Sequence, residues 1–237
     1  MKVKNYLVTT TFLFFINSLA NAAVIKSIDF ESETVGALPT TSTSDPSRIN
    51  NINFGDPLIR ADGSNQYLEF NPDQGYDQIQ VGRYAYESSV RFSFDMFLAR
   101  SSVAVLYFDN PTIQRFDFSN GSITAHNVAP GGGTTYNNTF DVSAYDFTQW
   151  TNFVFDINYA AELVDVYINS NLAFTSTIFS QTAGTNSVRF QGFTNQGIFG
   201  VDNILLETNP NAVPEASSIY LLAFGLLGLF GMARRKA

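Results

Sequence analysis

In Val90-Arg91-Phe92-Ser93-Phe94-Asp95-Met96 apolar and polar residues alternate without a break. Side chains of a β-strand point to opposite faces in turn. Val90, Phe92, Phe94 and Met96 therefore share one face, and that face must be buried. Phe153-Val154-Phe155-Asp156-Ile157-Asn158-Tyr159 repeats the pattern, and Leu163–Ile168 is expected to pair with it across a tight Tyr159-Ala160-Ala161 connection. Further strands are expected at Ile25–Phe30, Gln66–Phe70, Val103–Phe108, Ile113–Phe118, Ser122–His126, Val188–Phe193 and Phe199–Leu206. Turn-formers separate them: Asp109-Asn110-Pro111, Asn120-Gly121, Pro130-Gly131-Gly132-Gly133 and Thr194-Asn195-Gln196-Gly197. Asn120-Gly121, set between Phe118 and Ile123, is a short-hairpin signal. No stretch of the body carries a helical apolar period. A sheet with one apolar face buries it against a second sheet, so the pattern predicts an all-β, antiparallel β-sandwich. Most of the 23 phenylalanines fall on these strands and are expected in its core.

The two ends of the chain read differently. Lys2 and Lys4 precede an apolar stretch, Tyr6–Ile16, and Ala20-Asn21-Ala22 supplies small residues before a cleavage point near Ala22. That is the layout of a secretory signal peptide, residues 1–22, with a helical apolar centre. At the other end Val213-Pro214-Glu215-Ala216-Ser217 leads into an apolar run, Ile219–Ala233, and then Arg234-Arg235-Lys236. With Ala216 to Ser218 the run reaches about 18 residues, the short end of what crosses a hydrocarbon core as a helix. The basic stub is expected to stay cytoplasmic. Residues 213–237 resemble the PEP-CTERM sorting signal of exported Gram-negative proteins, although Ala216 stands where that motif usually has its second proline. The resemblance implies processing by an exosortase-type protease, after the secretion machinery and signal peptidase have acted at the N-terminus. An ordinary C-terminal anchor is the alternative.

What remains is a β-sandwich domain at 23–206 and a linker at 207–212. Residues 23–211 carry Lys26 and seven arginines against 20 acidic residues, about −12 net. Such a surface argues against nucleic acid and anionic lipid as partners and is compatible with divalent cations and neutral glycans. The chain has no cysteine, which excludes disulfides and thiolate chemistry. Residues 34–53, rich in Ser, Thr and Asn, are expected to form a long surface loop.

The order of the strands resembles a concanavalin-like (laminin-G-like) jelly roll. The residues that carry the likeness are Ile28-Asp29-Phe30-Glu31, Tyr67-Leu68-Glu69-Phe70, Arg91–Met96, Trp150–Phe155 leading to Val164–Asn169, and Gly200-Val201-Asp202-Asn203-Ile204. Asn169 is followed by Ser170 where that superfamily has glycine.

Few residues present themselves for chemistry. Asp29, Glu31 and Glu33 recur at period two, and on a strand their carboxylates share a face, the spacing of paired acids in jelly-roll glucanases. A glycan-cleaving hydrolase is therefore the alternative to a non-catalytic protein, which is the preferred expectation. The same acids offer a structural calcium site: Asp29 or Glu31 near the first strand and Asp202 near the last. In the competing reading Asp202-Asn203 is a turn or bulge. Asp62-Gly63-Ser64-Asn65, Asp73 and Asp77 read as turns. His126, the only histidine, has no nucleophile elbow or further zinc ligands and reads as a strand-end surface residue. The Gly131-Gly132-Gly133 run lacks the lysine and helix of a phosphate loop. Sugar binding combines aromatic faces with amides and carboxylates, for which Tyr76, Tyr84, Tyr86, Tyr136 and Tyr145 are loop candidates, while Trp150 at a strand start reads as core. The expected function is that of an exported, tail-sorted surface or matrix protein associated with exopolysaccharide, glycan-binding or structural. It is expected at the inner membrane before processing, then at the cell surface or in the extracellular matrix of a Gram-negative bacterium.

Overall fold

The computed structural model describes residues 23–72, 76–85, 89–99, 102–110, 112–128, 135–178, 185–194 and 197–208. The signal peptide, the sorting motif Val213–Ser217 and the basic stub Arg234–Lys236 lie outside them.

Among the described residues fifteen strands follow in chain order: β1 (Ala23–Ile28), β2 (Asn51–Phe54), β3 (Leu58–Asp62), β4 (Asn65–Phe70), β5 (Asp77–Ala85), β6 (Ser89–Leu98), β7 (Ala104–Asn110), β8 (Thr112–Ser119), β9 (Ser122–Val128), β10 (Thr135–Asp141), β11 (Thr151–Asn158), β12 (Leu163–Ile168), β13 (Asn171–Thr177), β14 (Thr185–Gly192) and β15 (Phe199–Thr208). One sheet runs β13-β12-β11-β6-β15-β4-β3, and β1 joins it by pairing with β15. The other runs β10-β9-β8-β7-β14-β5-β2. The strand pairings are antiparallel throughout. Long β15 is flanked on one side by β6, and on the other by β4 at its start and β1 at its end. First and last strands thus pair.

The core is a slab of phenylalanine between the sheets. Phe92 and Phe94 of β6 and Phe153 and Phe155 of β11 meet Phe108, Phe116, Phe118 and Phe190 of the other sheet, all essentially inaccessible. Phe94 approaches Phe190 edge-on, with centroids 4.9 Å apart at 82°, and Phe116 meets Phe155 at 4.9 Å and 67°. Edge-to-face contacts of this kind add to the area each ring buries, and truncating one such ring to alanine costs about 3–5 kcal/mol.

The expected strands all form, with ends shifted by a few residues. Both expected hairpins close: β8 turns into β9 at Asn120-Gly121, where Gly121 has φ +87°, and β11 pairs with β12. Two boundaries move. β15 continues through Glu207 and Thr208, the first two residues of the expected linker. The segment 34–53 is also less of a free loop than expected. Thr41 bridges Ile49, Ile49 is buried, and β2 starts at Asn51. The cause is Lys26, the only lysine of the body. Its stem passes beside Gly82, where an added Cβ would lie 3.0 Å from Lys26 Cγ. Its buried ammonium donates to the carbonyls of Ser42 at 3.1 Å, Asp45 at 2.7 Å and Arg48 at 2.8 Å. A charge taken out of water is tolerated when each of its donors is satisfied. Burial still pushes the Lys26 pKa down, with Asp45 opposing.

Candidate functional site

The three acids of the possible catalytic face do not share one. β1 ends at Ile28, and Asp29, Glu31 and Glu33 lie in the turn that follows, where Phe30 takes φ +57°. A turn has no period-two faces, and each carboxylate goes its own way. Asp29 accepts from the Glu31 amide at 3.2 Å. Glu31 accepts from the Gln66 amide at 3.0 Å. Glu33 pairs with Arg48 and accepts from the amide and hydroxyl of Thr40.

Asp202 sits where β15 changes partner, at a β-bulge whose next residue, Asn203, has φ +49°. The bulge reading of this pair is therefore the observed one. Asp202 is buried, and its two oxygens accept from the Asn203 amide at 2.7 Å and Asn65 Nδ2 at 3.0 Å. Burial raises its pKa to about 6, with repulsion from Asp95 and Glu31 adding to the effect. As a set, Asp29, Glu31 and Asp202 do not fit a calcium ion. The Asp202 oxygens face amide donors where calcium needs further oxygen ligands. Among the described residues no group of three His, Cys, Asp or Glu side chains is placed to share a metal.

On the outer face of the same sheet lies a hollow of about 360 Å³, lined by Ala61, Asp62, Tyr67, Phe97, Thr148, Gln149 and Trp150. That volume lies within the range of small-ligand sites, about 300–1,000 Å³. Its wall is an aromatic trio. Tyr67 and Phe97 have centroids 5.5 Å apart, Tyr67 and Trp150 5.3 Å, and Phe97 and Trp150 4.8 Å, each pair edge-on at 75° to 79°. Tyr67 and Phe97 belong to β4 and β6, which are separated by β15. Their rings close over Gly200 of β15, since a Cβ there would collide with Phe97 and lie 2.9 Å from Tyr67. Trp150 is placed by the turn before β11. Phe147 of that turn is locked into the core, its carbonyl accepts from the Leu98 amide at 2.7 Å, and Asp146 accepts from the amide and hydroxyl of Thr148. Burial, with Glu69 and Asp62 adding, pushes the Tyr67 phenol above its ordinary pKa, so its hydroxyl remains protonated. A carboxylate, an amide and a hydroxyl thus rim an aromatic wall.

Trp150 is half-buried on the outer face and not in the core, contrary to expectation. The parity of β6 carried the signal that was missed. Phe97 occupies the outward set with Arg91, Ser93 and Asp95, an aromatic on a polar face. Of the loop tyrosines, Tyr84 is a buried core residue whose hydroxyl lies 2.6 Å from that of Tyr159. Tyr145 packs half-buried against the core. Tyr76 is exposed beside Phe54, with centroids 4.7 Å apart. Tyr86, the side chain of Tyr136, Asp73 and Gly131–Gly133 lie outside the described residues. Asp62 and Asn65 close the β3–β4 turn as expected, whereas Asp77 begins β5 and accepts from the amides of Asp56 and Asn71. His126 lies within β9, its Nε2 3.1 Å from Asp117 and its Nδ1 2.8 Å from Asn137 Oδ1.

Solved structures of other proteins share this fold. A sialidase superposes with a TM-score of 0.54 over 88% of this chain and 21% of its own, at 13% identity. The binding domain of botulinum neurotoxin serotype G gives 0.50 over 79% of this chain and 51% of that one, also at 13% identity. A carbohydrate-binding module from Bacillus subtilis gives 0.46 over 65% of this chain and 92% of its own, at 8% identity. This chain spans about a fifth of the sialidase and half of the neurotoxin domain. No family model and no curated protein matches the sequence. At such identities the first two likenesses establish the fold alone, an antiparallel two-sheet β-sandwich.

Proposed function

We propose that this chain is an exported, tail-sorted surface or matrix protein whose sandwich binds a glycan without cleaving it. The observation that carries the reading is the hollow walled by Tyr67, Phe97 and Trp150 and rimmed by Asp62, Thr148 and Gln149. A sugar ring has an apolar face of C–H groups, which stacks on aromatic rings, and an edge of hydroxyls, which pairs with carboxylate and amide groups. Large rigid rings give contact area at little entropic cost. The acids considered for hydrolysis are engaged elsewhere and do not form a catalytic pair. The signal peptide and tail support export through the secretion machinery and processing by an exosortase-type protease, which puts the sandwich in contact with exopolysaccharide.

Affinity electrophoresis of the full chain in detergent through gels containing neutral polysaccharides tests the binding. Retardation by at least one neutral polymer is expected, with Trp150→Ala abolishing it and leaving the melting temperature within a few degrees. Gly200→Ala, which forces the Tyr67 and Phe97 rings apart, is expected to weaken it as well. Equal retardation of wild type and Trp150→Ala would sink the assignment, as would no retardation by any polymer tried.

A further inference from the structure

A second hollow lies on the outward face of the sheet that carries the aromatic one. Its volume is about 320 Å³, and it is lined by Arg91, Val154, Asp156, Tyr167 and Ser170. It too falls within the range of small-ligand sites, about 300–1,000 Å³. Register sets it in line with the first. Val154 pairs with Ser93 and Tyr167, and Asp156 pairs with Arg91. Arg91 of the second hollow and Phe97 of the first are both outward residues of β6. Six residues separate them along that strand, a distance of about 20 Å at the usual strand rise.

Only short polar side chains stand between the hollows along β6 and β11: Ser93, Asp95 and Asn152. Asn152 Nδ2 donates to one oxygen of Asp95 at 2.8 Å, and Asn203 Nδ2 donates to the other at 2.8 Å. The second hollow repeats the two-part chemistry of the first. Tyr167 and Val154 are cross-strand partners and give it an apolar surface. Arg91 closes its side by donating to Asp156 through two parallel bonds of 2.6 and 2.7 Å. That pair uses two of the five guanidinium donors, so others remain for ligand hydroxyls. Ser170 adds a hydroxyl, from a backbone at φ +67° where glycine would be relaxed. A strained residue at the rim of a hollow points to a use that turn geometry alone does not supply.

Charge narrows the ligand class. The outward side of this sheet carries Arg60 and Arg91 against Asp62, Glu69, Asp95, Asp156, Asp165, Asp202 and Glu207. Both arginines are held in ion pairs, Arg60 with Glu69 and Arg91 with Asp156. Such a face repels a polyanion. Within the second hollow the charges of Arg91 and Asp156 balance each other, so its occupant needs hydroxyls and no net charge.

We propose that the second hollow is a further subsite for the glycan held at Tyr67, Phe97 and Trp150. The ligand is then a linear neutral saccharide chain lying along β6 and β11, stacked on Tyr167 and hydrogen-bonded by Arg91, Asp156 and Ser170. This rests on the aromatic hollow being a glycan site and extends it from one sugar ring to a chain.

The test is titration calorimetry of the full chain in detergent with xylan, glucomannan and dextran and with their size-fractionated oligosaccharides, disaccharide to hexasaccharide. In at least one series the hexasaccharide is expected to bind about tenfold more tightly than the disaccharide. Tyr167→Ala should remove about that factor from the hexasaccharide and leave the disaccharide unchanged, the loss of one stacking contact. Trp150→Ala should weaken both. Ser170→Gly and Ser170→Ala should each weaken the hexasaccharide about threefold, the scale of one neutral hydrogen bond. Melting curves confirm that each variant is folded. Polymer binding that depends on Trp150 but shows no gain with chain length, or no loss in Tyr167→Ala, overturns the second subsite and leaves the aromatic hollow standing. Absence of binding to every polymer and oligosaccharide overturns both. Tyr167-dependent self-association on gel filtration, with no length dependence, overturns the subsite because the face then belongs to a second copy.

Discussion

Asp202 is held where its charge is costly. Its folded pKa of about 6 lies above the ordinary 3.8, so between these values the folded protein carries a proton that the unfolded chain has released. Stability at this residue is therefore greatest below about pH 4 and falls as pH rises through about 6. Asp45, Asp141 and Asp146 work in the opposite sense, since hydrogen bonds from Ser47, Ser143 and Thr148 hold their pKa values down. Comparing wild type with Asp202→Asn cancels those groups. Thermal melts across this range should show wild type losing stability relative to the variant as pH rises from about 4 to 7, with Asn65 turning its amide to meet the new side chain. Parallel curves would mean that the burial of Asp202 has no protonation cost. Residues of this sort were only half legible. The sequence allowed Asp202-Asn203 to be a bulge, but the acid's side-chain partner is Asn65, 137 positions away, whose hydrogen bond opposes the effect of burial. Trp150 was misplaced because a strand start was equated with the core, whereas the core position in that turn is taken by Phe147.

Elements were legible in proportion to their place in the sheets. Strands with continuous alternation, such as β6 and β11, are interior members that bury one face completely. Four of the five strands that the pattern did not yield, β2, β3, β10 and β13, are the edges of the two sheets. Edge strands are short and polar, because an exposed apolar edge would recruit other chains. The fifth, β5, was readable in Gln78-Ile79-Gln80-Val81, whose apolar members are fully buried. The β12–β13 hairpin shows where a departure noticed in the sequence has a physical cost. Asn169 and Ser170 form its turn with φ of +49° and +67°. Asparagine tolerates that region, but serine has a Cβ that does not favour it. Ser170→Gly is expected to stabilise the protein by about 0.5–1 kcal/mol, less the entropy glycine adds to the unfolded chain. Urea unfolding of the two proteins measures it, and a lower midpoint for the glycine variant would show that the turn is not strained.

At the scale of the molecule, contiguous motifs and working surfaces are carried by the sequence in different ways. The expected signal peptide and sorting tail are contiguous motifs, whereas the hollow is assembled across β3, β4 and β6 by register. A one-residue slip in any of these strands would dismantle it, and local sequence does not encode that alignment.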